Sequence, residues 1–218
     1  MQAISVLTCP QRPQYLSDTM DALEFAGARA CDMRLLMHDG PMAPVRKGWC
    51  SFEHTRPQGA LAAMWWVLGV AELLGVDRLI YCEDDIMPSV GAVARIMATP
   101  ILPDQALVSF FDAKEFPGAK RFMEGAAGVL EVPLMGQDGK GLFGACCLLL
   151  PRQTIKWALR VRPGAPGMPE HADQALSWAL RDSPWPARGV SIPSLVEHVG
   201  DVSSMGHKAG QRAAYFAG

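Results

Sequence analysis

The chain has 218 residues, half of them hydrophobic and 19% charged, with a formal net charge of −2. This composition excludes a disordered chain and suffices for a substantial core in one domain, or one domain with a small lobe. The near-neutral charge gives no global signal for nucleic acid, no apolar run of about 18 residues marks a membrane span, and "MQAISVLTCP" shows no basic leader, so a cytoplasmic protein is expected.

The β-branched, apolar run Ala3–Thr8 predicts a first buried strand, closed by Cys9-Pro10. A helix follows, with Leu16, Met20 and Leu23 on one side and a stop at Gly27. "DMRLLMHDG" predicts a second strand ending at Asp39-Gly40, and "PMAPVRKGWCSFEHTRPQG" a loop. Ala60–Leu74 predicts a strong helix, "RLIYCEDD" a third strand, "VGAVARIMA" a helix and "QALVSFFD" a fourth strand. The next stretch, from Lys114 to Gly141, is irregular, with one or two short strands expected in it. "LFGACCLLLP" is an apolar strand run, "RQTIKWALRV" and "PEHADQALSWALRD" are helices, "ARGVSIPSLVEHVG" holds a short strand or two, and the tail from Asp201 is expected to be loop. Alternating strands and helices over the first half predict an α/β fold with a mostly parallel, Rossmann-like central sheet flanked by helices. The less regular second half, about 111–218, is expected to form a small irregular lobe built onto the sheet half of about 1–110.

The six cysteines form no CxxC pair. Several lie in apolar strand runs, where a free Cys acts as a small hydrophobe, so a reduced protein is expected.

The chemistry concentrates in "DRLIYCEDDIMPS", where Glu83, Asp84 and Asp85 follow an apolar strand. Adjacent carboxylates repel and are costly to bury unless a positive partner neutralises them. In an open α/β sheet such a strand end faces the ligand crevice. Hard oxygen ligands there suit Mn²⁺ or Mg²⁺ bridging to phosphates. The alternative is a turn in which Asp85 or Ser89 caps the next helix.

Several stretches, in order, resemble the GT-A fold glycosyltransferases. These are "ISVLTCPQRPQYLSDTMDAL", "LIYCEDDI", "HADQALSWAL" and "PSLVEHVGDVSSMG". The acidic motif reads Glu-Asp-Asp rather than Asp-x-Asp, and with "P-x-L-V-x-H-x-G" it is most similar to a bacterial, phage and N-acetylglucosaminyltransferase-like branch. The resemblance implies a nucleotide-sugar donor (UDP favoured), a metal held by Asp85 and His198, and donor contacts from Thr8, Arg12, Asp39, Glu83, Asp84, Ser203 and Ser204. It implies Asp173 as the base that deprotonates an acceptor hydroxyl in an inverting displacement, with Gly144 and His171 near the sugar or acceptor. An Asn that often precedes the acidic strand's helix is absent, so Arg56 or Gln58 would substitute. It also implies a bacterial enzyme or one in a virus-infected host cytoplasm. The acceptor stays open between a saccharide and other hydroxyls, including a hydroxylated base in phage DNA. A nucleotidyltransferase or an inactive nucleotide-sugar-binding module are the alternatives.

Three further signals carry less. "GKGLFG" matches GxGxxG but leads into a strand run rather than a helix, which the dinucleotide motif requires. Trp65 and Trp66 fit core packing better than a stacking platform. Arg152, Lys156 and Arg160 share one helix face, with a solvated surface as the default and a phosphate-bearing acceptor as the sharper option.

Overall fold

Strands buried on both faces need apolar residues at successive positions, and the first strand run has them. In the computed structural model, which describes residues 1–10, 13–41, 45–111, 128–134, 142 and 144–200, that run is β1 (Gln2–Thr8). It leads into α1 (Pro13–Phe25), β2 (Met33–His38), β3 (Cys50–Glu53), α2 (Ala60–Leu73) and β4 (Arg78–Glu83). Then come β5 (Ile86–Pro88), α3 (Ala92–Ala98), β6 (Gln105–Ser109), β7 (Gly128–Pro133), β8 (Cys147–Pro151), α4 (Arg152–Ala158), α5 (Ala172–Leu180), β9 (Ala187–Ile192) and β10 (Val196–His198).

Eight of the strands make one sheet in the order β3-β2-β1-β4-β8-β6-β9-β7. β3, β2, β1 and β4 are parallel, as are β6 and β9, while β8 and β7 run against their neighbours. The side-chain period of two sorts each strand between two cores. Ala3, Leu35, Leu79 and Leu148 pack with α2, α4 and α5 on one face. Ile4, Leu36, Ile80 and Leu149 pack with α1 and α3 on the other. Each fully buried Leu or Ile among them contributes about 1.5–3 kcal/mol.

Two strands lie where the sequence reading has none. β3 falls in the expected loop because it is a short edge strand with mostly exposed, non-alternating side chains. β5 spans only Ile86–Pro88 and gains its partner, β10, from the far end of the chain. The helix after it starts at Ala92 rather than Val90, with left-handed Gly91 at its cap and no side-chain cap. Neither Asp85 nor Ser89 caps it through its side chain.

Candidate active site

The carboxyl ends of β1 and β4 lie side by side because Leu7 pairs with Glu83 in parallel register. The three carboxylates then divide. Asp84, 0% exposed, turns toward β1, and its Oδ2 accepts a 2.6 Å hydrogen bond from the Thr8 hydroxyl. From α1, the buried Thr19 hydroxyl reaches the backbone carbonyls of Asp84, at 2.7 Å, and Ile86, at 2.9 Å. Thr8 and Asp84, both expected as donor contacts, bond each other and so tie the two strand ends together.

Asp85, 1% exposed, faces His198: Oδ2 lies 3.1 Å from Nε2, across 113 residues of sequence. An ionised carboxylate only accepts, so the ring N–H donates. The β5–β10 pairing sets this contact. His198 is opposite Ile86, and the Val199 N–H donates to the Asp85 carbonyl at 2.9 Å. Gly200 leaves room for the carboxylate, since a Cβ there would sit 2.4 Å from Asp85 Oδ2. Gly200→Ala is therefore expected to displace that carboxylate and weaken Mn²⁺ binding at least about tenfold in calorimetry; wild-type affinity would show that the cradle does not matter.

Glu83 completes the open side. One of its carboxylate oxygens, the Cys146 sulfur and a His198 ring nitrogen all lie within 4.8 Å of one another. The Glu83 N–H donates to the Cys146 carbonyl at 3.0 Å, one residue beyond the last β4–β8 register pair. Burial, and then the charges of Glu83, Asp85 and Asp173, push the Cys146 thiol well above its usual pKa. Phe111 walls this corner, its ring centroid 6.2 Å from that of His198. Cys146 was missed by the sequence reading, whose only cue was its place just before a strand paired with the acidic one.

Asp173 enters from the start of α5. Its Oδ2 accepts from the Gly144 N–H at 2.8 Å, and its Oδ1 from the Gln174 N–H at 2.7 Å. Gly144 has φ of +75°, and a Cβ there would meet the Phe111 ring at 2.8 Å, so only glycine brings the backbone this close. His171 occupies the N-cap position of α5 without a side-chain cap bond, and its carbonyl accepts from Ala175 N–H at 2.8 Å.

Asp39, at the end of β2, is occupied by protein donors. Oδ1 accepts from the His54 ring N–H and the Gln58 N–H, both at 2.8 Å, and Oδ2 from the Gly59 N–H at 2.9 Å. Those donors precede α2, so Asp39 pins the start of that helix against the sheet. The Gln58 side chain folds back onto the Arg56 carbonyl at 2.9 Å, and both residues are exposed in the same loop. A pocket of about 390 Å³ opens between the ends of β1 and β2 and helix α1, lined among others by Thr8, Pro10, His38 and Arg46. Arg12, Ser203 and Ser204 lie outside the described residues, as does most of "GKGLFG".

The remaining signals resolve as surface and core. Arg152 and Lys156 both reach Glu72 on α2, at 3.3 and 3.6 Å. Arg160 covers the Trp157 ring at 4.2 Å. Trp65 is buried, with its indole N–H on the Val161 carbonyl at 2.8 Å. Trp66 stacks on His54 with centroids 3.9 Å apart, on the Asp39 side of the helix. Among the described residues, no helix is long and apolar enough to cross a membrane.

No protein-family model matches this chain. No curated protein matches it by sequence. Solved structures do match by fold. The galactosyltransferase LgtC, in complex with donor and acceptor sugar analogues, superposes with a TM-score of 0.52 at 15% identity, covering 87% of this chain and 72% of LgtC. An active-site mutant of LgtC gives the same score and identity, with 87% and 71% covered. The mannosyltransferase PcManGT from Pyrobaculum calidifontis, in complex with GDP-Man and Mn²⁺, gives 0.51 at 12% identity. It is covered over 50% of its length, against 80% of this chain. With its sheet order and flanking helices, this chain has the mixed α/β fold of the GT-A glycosyltransferases.

Proposed function

We propose that this chain is a metal-dependent glycosyltransferase, moving a sugar from a nucleoside-diphosphate donor, a UDP-sugar foremost, to an acceptor hydroxyl. One observation carries the reading. On this fold, a buried Asp85 at the end of β4 meets His198 from β10, with Glu83 on the same side. Two carboxylates and an imidazole at the ligand-binding edge of the sheet suit a divalent cation. A helix cap needs none of this convergence. That LgtC was solved with sugar analogues and PcManGT with GDP-Man and Mn²⁺ is consistent with it.

Glu83, Asp85 and His198 would hold Mn²⁺ or Mg²⁺. When bound, the ion supplies positive charge against the leaving diphosphate. The chain's own groups do the rest. The Thr8–Asp84 clamp and Thr19 fix the strand end that presents Glu83 and Asp85. Asp39 fixes the loop of Arg56 and Gln58 at the start of α2, and the 390 Å³ pocket at the ends of β1 and β2 suits the nucleoside. Asp173, oriented by the Gly144 and Gln174 N–H groups, takes the acceptor hydroxyl proton as that oxygen bonds the sugar anomeric carbon. The bond from that carbon to the diphosphate breaks on the opposite face, so the configuration inverts and the nucleoside diphosphate departs. The acceptor class is a saccharide or another hydroxyl-bearing molecule.

The test is thermal unfolding with Mn²⁺ and UDP or GDP. A ligand at about 100 times its Kd stabilises by about 2.7 kcal/mol, a rise of several degrees for a domain of this size. The rise should need both metal and nucleotide. A panel of nucleotide sugars, scored by metal-dependent release of nucleoside diphosphate, then identifies the donor. No shift with either nucleotide, together with no release from any donor, overturns the reading.

A further inference from the structure

The cluster beside Asp85 contains a ligand type that an oxygen-and-imidazole site for Mn²⁺ or Mg²⁺ does not need. We propose that Cys146 is a thiolate ligand of the metal centre, with Glu83 and His198, so that the site takes a borderline ion such as Zn²⁺ or Co²⁺ far more tightly than Mg²⁺. The proposal deepens the metal part of the functional reading and does not depend on sugar transfer.

Two observations converge on it. The first is distance. The Cys146 sulfur, a Glu83 oxygen and a His198 ring nitrogen lie within 4.8 Å of one another. Bonds of about 2.0–2.3 Å place neighbouring ligands of a tetrahedral ion roughly 3.3–3.8 Å apart, so small side-chain adjustments close the set. The second is positioning by the fold. Cys146 is tied to Glu83 across β4 and β8 by a 3.0 Å backbone hydrogen bond, and His198 is delivered by β10. No one of the three lies on the same element as another, so the convergence is tertiary rather than an accident of local spacing.

The ligand chemistry then sets the preference. A thiolate is soft and favours Zn²⁺ and Co²⁺, whereas Mg²⁺ seeks oxygen and retains water. On binding, the sulfur gives its proton to solvent and becomes a thiolate.

Co²⁺ titration of the purified full chain, without nucleotide, tests this. The wild type should show a near-ultraviolet thiolate-to-cobalt charge-transfer band together with the visible bands of a low-coordinate ion. Zn²⁺ should abolish both at equimolar amounts, and a hundredfold excess of Mg²⁺ should not. Cys146→Ser should lose the charge-transfer band and bind Co²⁺ about a hundredfold more weakly. Cys50→Ser, at an exposed thiol, should keep both. His198→Gln weakens Co²⁺ binding on the same scale and serves if the serine variant does not fold. Co²⁺ bound without the band, a band that survives in Cys146→Ser, or displacement by Mg²⁺ overturns the proposal. A wild type that binds no Co²⁺ does so too. The failure modes separate: a band with no nucleotide-sugar turnover sinks only the transferase reading, and Mn²⁺-dependent turnover without a band sinks only this one.

Discussion

Asp85→Asn is expected to lower metal-dependent release of nucleoside diphosphate by about 10²–10³-fold, with the fold intact. One electrostatic group at a reacting centre is worth roughly 2.7–4 kcal/mol, which is that factor. Asparagine is the informative substitution. It keeps the shape of a side chain that is 1% exposed, and its amide oxygen still accepts from the His198 ring. What it removes is the charge that a cation needs. Alanine at the same place would open a void under Gly200, whose backbone packs on the carboxylate, and would mix a folding defect into the kinetics. The measurement is nucleoside diphosphate release against Mn²⁺ concentration, beside a urea unfolding curve. A loss that excess Mn²⁺ partly repairs marks Asp85 as a ligand. Turnover at the wild-type rate in a folded variant would remove Asp85 from the site.

The sequence carried the sheet and half of the site. β1, β2, β4 and β8 were legible because both faces of each are buried, which forces apolar runs. The acidic end of β4 stood out for the opposite reason, as charge where burial forbids it. The division of labour within it was not legible. That Asp84 points to Thr8 while Glu83 and Asp85 point to His198 depends on where β1 and β10 lie. His198 entered only through a family resemblance, because a three-residue strand pairing with β5 leaves no pattern of its own. Asp39 read as a donor contact at the end of a strand. Its three protein donors make it an anchor for α2, and two of them are backbone N–H groups that no residue type announces. Cys146 was hidden among apolar neighbours, where a cysteine looks like core. Its proposed role depends on a partner strand 63 residues earlier, at Glu83.

Asp173→Asn separates a base from a helix-start carboxylate. As a favourable charge at the start of α5, Asp173 would be worth about 0.3–1 kcal/mol of stability and nothing in turnover. Asparagine keeps one acceptor oxygen, for either the Gly144 or the Gln174 N–H, and turns an amide donor toward the other, so a urea unfolding curve is run beside the kinetics to show that the helix start holds. Asparagine cannot take a proton. General-base catalysis is worth about 10²–10⁴-fold, so kcat should fall by that factor while the donor KM holds within about twofold. The acceptor sets a second check. An acceptor whose hydroxyl has a lower pKa needs less help from a base, and the variant should recover part of its rate with one. Holding the donor KM constant matters because Asp173 lies on the acceptor side of the proposed site: a variant that loses donor affinity instead would make Asp173 part of the donor pocket. Full activity in Asp173→Asn with a slightly lower unfolding midpoint would leave it the helix-start role alone, and the base would have to be sought elsewhere in the cleft.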